Sequence, residues 1–226
     1  MSTTTGPRLV EVRKHVLKQN DQVARELRDR FLSSEVTVIS LVSSPGSGKT
    51  LLLEKTITAL RANFTVAALV GDLATENDAA RLAATGSLVR QIVTGTVCHL
   101  EAAMVRDAIA LWPLDDLDFL FVENVGNLVC PSSYDLGEAA RAVLMSVTEG
   151  EDKPLKYPTI FNSSDVCVIT KMDLAEAAEF DIAKAEQSIQ AVRPGMQVFK
   201  LSAKKGDGME AWIEYLCQLR PPDPAA

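Results

Sequence analysis

The stretch Ser43-Ser44-Pro45-Gly46-Ser47-Gly48-Lys49-Thr50 decides the fold. An apolar run, Val36 to Val42, precedes it, and a segment with apolar residues at helical spacing, Leu51 to Leu60, follows it. A strand, a glycine-rich loop and a helix in this order form a phosphate-binding P-loop, because backbone N–H groups and the positive end of the helix surround the phosphate oxygens. The pattern therefore predicts a nucleotide site formed by Gly46, Ser47, Gly48, Lys49 and Thr50.

Two side chains of this loop have specific roles in the prediction. Lys49 is expected to reach the β and γ phosphates, and the Thr50 hydroxyl is expected to bind Mg²⁺. Ser43 stands where the motif usually has its first glycine. The alternative, a glycine-rich turn with a surface lysine, is disfavoured because the flanking segments agree with nucleotide binding.

The composition is that of a globular protein, and we expect one domain spanning residues 1–226, with frayed ends at 1–7 and 221–226. Of the 226 residues, 47% are hydrophobic and 23% are charged. The net charge of −7 argues against non-specific binding to nucleic acid. No apolar run approaches the roughly 18 residues of a membrane span. Because the first eight residues lack the apolar core of a secretory signal, we expect a cytoplasmic protein with reduced cysteines.

Apolar strand-like and helix-like segments alternate along the rest of the chain. We expect further strands at Phe64–Val70, Leu88–Val93, Asp118–Val122, Val166–Thr170 and Gln197–Leu201. We expect helices at Asn77–Ala84, Leu100–Leu111, Leu136–Val147, Ala177–Val192 and Met209–Leu219, and an N-terminal amphipathic helix at about 9–32. This alternation predicts an α/β fold of the P-loop NTPase kind, a doubly wound, mainly parallel sheet with helices on both faces.

Two strand ends indicate the base of the nucleotide. Asp173, in the sequence Thr170-Lys171-Met172-Asp173, can accept hydrogen bonds from N1–H and N2–H₂ of guanine, which adenine lacks. Lys171 is expected to lie over the base, and a backbone N–H near Ala203 in Ser202-Ala203-Lys204 can donate to guanine O6. These residues resemble the guanine-recognition motifs of GTPases. Thr170 replaces the usual asparagine, which puts in doubt one hydrogen bond that braces the P-loop.

Two acidic residues and a glycine complete the predicted catalytic set. Glu123, in Glu123-Asn124-Val125-Gly126, can hold Mg²⁺ through water, and the Gly126 N–H can sense a γ-phosphate. Asp72 follows the second strand, where it either orients the attacking water or a Mg²⁺-bound water, or is a turn or cap residue. The predicted catalytic residues are therefore Lys49, Asp72, Glu123 and Gly126. The predicted magnesium residues are Thr50, Asp72 and Glu123.

A cysteine–histidine pair and a distant cysteine suggest a second site. Cys98 and His99 lie in a turn before a predicted helix, where a thiol is expected to have a lowered pKa, and Cys130 lies four residues beyond Gly126. Thiolate and imidazole ligands suit Zn²⁺ or Ni²⁺. The spacing alone leaves both interpretations open, since buried cysteines are common in protein cores. Cys167 and Cys217 are predicted to be core residues.

These segments together resemble the HypB family of GTPases, which help to insert nickel into [NiFe]-hydrogenases. The resemblance extends from about residue 10 to 219, and its most distinctive parts are Cys98-His99-Leu100 and Glu123–Pro131. It implies that Cys98, His99 and Cys130 bind Zn²⁺ or Ni²⁺ at a subunit interface. It also implies that GTP favours a homodimer, and that a hydrogenase maturation protein and the hydrogenase large subunit are partners. An additional N-terminal nickel store is not expected, because no cysteine and one histidine, His15, precede Cys98.

Two other functions remain as alternatives. A P-loop kinase acting on a small molecule would need an arginine-rich lid, which the sequence does not suggest, and it would not need guanine motifs. A GTPase that matures another metalloprotein, such as urease or a cobalamin enzyme, is the second alternative. The Cys98-His99 pair with Cys130 favours the hydrogenase.

Overall fold

The computed structural model describes residues 8–73 and 77–221, with side chains from residue 16 onward. The strands are β1 Thr37–Ser43, β2 Val66–Asp72, β3 Leu88–Val93, β4 Phe119–Glu123, β5 Ala140–Ser146, β6 Val166–Thr170 and β7 Gln197–Lys200. The helices are α1 Arg8–Ser33, α2 Lys49–Leu60, α3 Asn77–Ala83, α4 Ala102–Ala108, α5 Lys153–Lys156, α6 Pro158–Asn162, α7 Ile182–Val192 and α8 Met209–Gln218. Short 3₁₀ turns occur at Leu114–Asp116, Cys130–Ser133, Val147–Glu149 and Met172–Leu174.

The seven strands form one sheet in the order β3-β2-β4-β1-β5-β6-β7, and every neighbouring pair is parallel. This arrangement confirms the predicted doubly wound sheet. The central strand β1 is buried along its whole length, as a parallel strand covered on both faces must be. Since all strands run in one direction, their carboxyl ends lie at one edge, where the loops after β1, β2, β4 and β6 come together.

The two faces of the sheet bury separate sets of apolar side chains. Helices α2 and α8 cover one face, where Ile57 and Trp212 are fully buried. Helices α1 and α4 cover part of the other face with residues such as Leu27 and Val105, and α6 and α7 cover the rest. Successive β1 residues alternate between these layers, which follows from the two-residue period of a strand.

One predicted helix is wrong. The sequence predicts a helix at Leu136–Val147, but residues 140–146 form β5, which pairs with β1 and β6. All seven residues of β5 are buried. A strand buried on both faces has no polar–apolar alternation, so a short apolar run is compatible with either element.

Other differences concern helix bounds. The N-terminal helix extends slightly beyond the predicted 9–32, whereas α4 is shorter than the predicted Leu100–Leu111. Helix α7 begins at Ile182 rather than Ala177, because the Asp181 side chain accepts a hydrogen bond from the Lys184 N–H and caps the helix there. The short helices α5 and α6 were not predicted. The predicted frayed ends lie outside the described residues, except Pro221, and no described helix is long and apolar enough to cross a membrane.

Candidate functional site

The P-loop lies between β1 and α2, at the carboxyl edge of the sheet. Gly48, with a φ of +98°, is in the left-handed region just before the first residue of α2, a conformation that other residues avoid. Lys49 is only 8% exposed, and its Nζ donates to Ser43 Oγ over 2.8 Å. The Ser47 hydroxyl also donates to Ser43 Oγ. The residue that replaces the first glycine of the motif is therefore a hydrogen-bond partner of the P-loop lysine.

The loop after β6 braces the P-loop from the side. The Thr170 hydroxyl donates to the Ser47 carbonyl over 2.6 Å, and Lys171 Nζ donates to the Gly46 carbonyl over 2.7 Å. The hydrogen bond that usually comes from an asparagine at position 170 is therefore present, because the threonine hydroxyl supplies it.

A cavity of about 440 Å³ opens beside the P-loop, where the sequence predicts that the phosphates bind. Thr50 Oγ1 donates to Glu123 Oε1 over 2.8 Å, while the second carboxylate oxygen, Oε2, is buried without a hydrogen-bond partner. Burial raises the pKa of Glu123 to about 7, against the opposing effects of Lys49 and Thr50. Burial likewise lowers the pKa of Lys49, and Glu123 opposes that shift. A buried oxygen without a partner fits a magnesium site, because a hydrated cation would satisfy it.

Gly126 and Asp72 line the same cavity. A Cβ at residue 126 would lie 3.0 Å from Pro45 Cα, so glycine allows the loop after β4 to approach the P-loop closely. Asp72 Oδ1 accepts from the Leu73 N–H over 2.6 Å, as a turn residue would. Its position is compatible with both predicted roles.

A smaller cavity of about 180 Å³ lies on the other side of Gly48 and matches the predicted base site. Its lining includes Thr170, Lys171, Asp173, Ala203 and Lys204. The Ser202 hydroxyl donates to Asp173 Oδ1 over 2.6 Å, and this hydrogen bond lowers the pKa of the Asp173 carboxyl. Asp173 is therefore ionised and oriented, as an acceptor for two guanine donors needs to be.

The loops after β3 and β4 bring Cys98, His99 and Cys130 together. Their ligand atoms all lie within 4.8 Å of one another. The Cys98 thiol donates to Cys130 Sγ over 2.9 Å, and Cys98 Sγ lies 4.0 Å from His99 Nδ1. This donor set fits a Zn²⁺ or Ni²⁺ ion, which needs several thiolate or imidazole ligands within one small volume.

The protonation of this cluster differs in part from the prediction. Cys98 precedes α4, which begins only at Ala102, so no helix N-terminus stabilises its thiolate. The hydrogen bond to Cys130 and burial raise the pKa of Cys98, so the expectation of a lowered value is wrong. Burial lowers the pKa of His99, although Glu101 opposes this, so the imidazole is neutral at pH 7 and can bind a metal. Cys167 is fully buried and Cys217 packs against the core, as predicted.

Several residues around the two sites belong to no motif that the sequence shows. Tyr134 packs against His99 with ring centroids 3.9 Å apart and ring planes tilted by 36°, and Arg141 Nη2 donates to the Tyr134 carbonyl over 2.7 Å. Arg81 lines the phosphate cavity and pairs with Glu54 at 2.7 Å. Arg81 lies on α3, the first helix after Asp72. This position in the chain is the only feature of the sequence that suggests that Arg81 lines the phosphate cavity. The contacts of Tyr134 and Arg141 depend on tertiary structure.

Comparison with known proteins decides the family. The sequence pattern described as "CobW/HypB/UreG, nucleotide-binding domain" matches residues 37–200. "Hydrogenase maturation factor HypB" of Escherichia coli (strain K12) is 46% identical over 209 residues, which cover 92% of this chain and 72% of that protein. The chain belongs to the HypB family.

Two comparisons with HypB from Helicobacter pylori agree. The sequence described as "Hydrogenase/urease maturation factor HypB" is 41% identical over 213 residues, covering 92% of this chain and 87% of the relative. The crystal structure of HypB from Helicobacter pylori in complex with nickel matches with a TM-score of 0.84 at 40% identity, over 91% of this chain and 99% of that chain. The HypB fold thus accounts for nearly all of the described residues.

The two candidate sites relate differently to the family match. The matched span, residues 37–200, contains the P-loop, Cys98, Cys130 and Asp173, whereas Ser202-Ala203-Lys204 lies just beyond it. Membership of the HypB family makes a nucleotide-binding domain certain. The individual roles of the site residues remain predictions that the geometry supports.

Proposed function

We propose that this protein is a cytoplasmic GTPase, folded as a single domain, that delivers nickel during [NiFe]-hydrogenase maturation. The strongest support for this proposal comes from the contacts of the loop after β4. It runs from Glu123, which bonds to Thr50 in the phosphate cavity, to Cys130, whose sulfur lies 2.9 Å from Cys98 Sγ. One short segment therefore belongs to both the nucleotide site and the metal cluster.

The base pocket supports guanine as the base. An ionised, oriented Asp173 can accept from both N1–H and N2–H₂ of guanine, whereas adenine would leave the carboxylate unpaired. Lys171 and Ala203 line this pocket, so Lys171 would lie over the base and the backbone N–H near Ala203 would donate to O6. A preference for guanine also argues against a small-molecule kinase, because a kinase that uses ATP would not need guanine-specific contacts.

Hydrolysis is assigned to residues of the phosphate cavity. Thr50, Glu123 and Asp72 would hold Mg²⁺, which neutralises phosphate charge when it is bound. Lys49 holds the β and γ phosphates, and the Gly126 N–H binds a γ-phosphate oxygen. Asp72 would orient either the attacking water or a Mg²⁺-bound water. Turnover is expected to be slow without a partner, since Arg81, the arginine lining the cavity, pairs with Glu54 instead.

Nickel would be the cargo of the metal cluster, and Zn²⁺ is an alternative occupant of the same ligands. Cys98, His99 and Cys130 provide three ligands, and a four-coordinate ion needs one more. A two-fold homodimer would bring a second set of ligands close to the first, and binding of GTP would favour this dimer. A hydrogenase maturation protein and the hydrogenase large subunit would be the protein partners. The name of the Helicobacter pylori relative keeps urease as a second target.

Three measurements test the proposed function. Calorimetry should give tighter binding of GTP than of ATP, and phosphate release should depend on GTP and Mg²⁺. Nickel titration should show binding that Cys98→Ser and Cys130→Ser each reduce. Cys217→Ser is the matched control, because this thiol lies outside the cluster. Equal affinities for the two nucleotides would refute the guanine assignment, and unchanged nickel binding in both cluster variants would refute the cargo site.

A further inference from the structure

Two asparagines on either side of Gly126 bind the backbone of the Cys98–Leu100 segment. Asn124 Oδ1 accepts from the Leu100 N–H over 3.0 Å and from the Val125 N–H over 2.9 Å. Asn127 Nδ2 donates to the Cys98 carbonyl over 3.2 Å. The loop that carries Gly126 thus holds this segment from both ends, with His99 between them.

The two attachments differ in rigidity. Asn124 is 2% exposed, and Leu100 is fully buried, its side chain filling the space that a Cβ at residue 71 would occupy. The contact between Asn124 and Leu100 is therefore a fixed point. Asn127 is half-buried, lies directly after Gly126, and its Oδ1 accepts from the Val129 N–H over 2.8 Å. A movement of Gly126 would therefore displace the Asn127 amide and its hydrogen bond to the Cys98 carbonyl.

We propose that Asn127 is a positioning residue that transmits the nucleotide state to Cys98. A γ-phosphate that binds the Gly126 N–H shifts Asn127, which moves the Cys98 carbonyl and turns the Cys98 sulfur about the fixed point at Leu100. This route does not require Cys130, although Cys130 lies on the same loop. The inference rests on the proposed function, because it presupposes that both GTP and a metal ion bind.

The side chain of Asn127 allows a selective test, because its two polar atoms have different partners. Asn127→Asp keeps an oxygen to accept from the Val129 N–H, but it loses the N–H donor to Cys98. Asn127→Ala removes both contacts without adding charge. Asn63→Asp is the matched control, because it makes the same change at an exposed turn after α2.

The quantity to measure is the ratio of nickel Kd values with GDP and with a non-hydrolysable GTP analogue. An added carboxylate acts in both nucleotide states, so its direct effect on metal affinity largely cancels from this ratio. In the wild type we expect the two nickel Kd values to differ by a factor of about 5 to 150. Asn127→Asp and Asn127→Ala should bring the ratio to within about twofold of one, while Asn63→Asp should keep the wild-type value.

Cys130→Ser tests whether the nucleotide state reaches the metal through Asn127 and Cys98 or through a movement of Cys130 with its loop. It should weaken nickel binding in both states but keep a ratio clearly different from one. A wild-type ratio in both Asn127 variants, or a ratio of one in Cys130→Ser, would overturn the inference. So would a wild-type protein that binds both ligands with a ratio of one. A wild-type protein that fails to bind GTP or nickel would refute the proposed function, and the inference with it.

Discussion

Replacement of Glu123 by glutamine should change the pH dependence of folding stability. Glu123 is 3% exposed, and burial raises the pKa of its carboxyl from the usual 4.5 to about 7. Glutamine has nearly the same shape and can still accept a hydrogen bond from Thr50, but it does not titrate. The comparison therefore isolates the cost of keeping a charge at this position.

The sign and size follow from proton linkage. The folded protein binds the Glu123 proton more tightly than the unfolded chain does, so this contribution to stability is complete below pH 4.5 and is lost as the pH rises through about 7. At about 1.4 kcal/mol per pKa unit, the loss is about 3 kcal/mol. The free energy of unfolding of Glu123→Gln, relative to the wild type, should rise by about this amount between pH 4 and pH 8.

Urea unfolding without nucleotide and without Mg²⁺ measures this difference. The exposed Glu176→Gln is the matched control and should follow the wild type at every pH. The same glutamine variant of Glu123 should lose GTP hydrolysis, because a neutral amide cannot replace the carboxylate in a magnesium site. Parallel stability curves for the wild type and Glu123→Gln across this pH range would refute the reasoning.

Three further predictions concern the nucleotide site. Asp173→Asn should weaken GTP binding at least tenfold in calorimetry. It should also improve binding of the xanthine nucleotide, since an amide can donate to the xanthine carbonyl. Unchanged GTP affinity would contradict the base assignment. Lys49→Ala should abolish GTP hydrolysis in a phosphate-release assay without unfolding the protein, and hydrolysis at the wild-type rate would remove Lys49 from the mechanism. Thr170→Val should lower the free energy of unfolding by about 1–3 kcal/mol, because the Ser47 carbonyl loses a buried donor, and a loss below the error of urea unfolding would show that the brace is unimportant.

Much of the fold and site could be predicted because the decisive signals are local. The P-loop from Ser43 to Thr50 is continuous in the sequence, and its glycines and flanking apolar runs require a strand and a helix. Asp173 and Ser202 each follow a recognisable strand end, and parallel strands bring such ends to one edge. Resemblance to a family was needed for the metal cluster, because the spacing of Cys98 and Cys130 alone did not distinguish ligands from core residues.

The remaining features depend on contacts between distant parts of the chain. The helix predicted over residues 140–146 is wrong because only their position between β1 and β6 explains the uninterrupted apolar run. The raised pKa of Cys98 results from its contact with Cys130, which lies on another loop. The hydrogen bond from Asn127 to the Cys98 carbonyl likewise has no sequence signature, since asparagine is common in loops.

The central claim is that nucleotide and metal sites act as one unit, and a joint titration tests it most directly. Ni²⁺ is titrated into the protein loaded with GDP or with a non-hydrolysable GTP analogue, while sedimentation velocity follows dimerisation. We expect that the GTP analogue favours the dimer and changes nickel affinity, and that nickel changes the affinity for the GTP analogue by the same factor. Cys130→Ala should lower the nickel stoichiometry or affinity. Identical nickel affinities and identical dimer constants in the two nucleotide states would contradict the account.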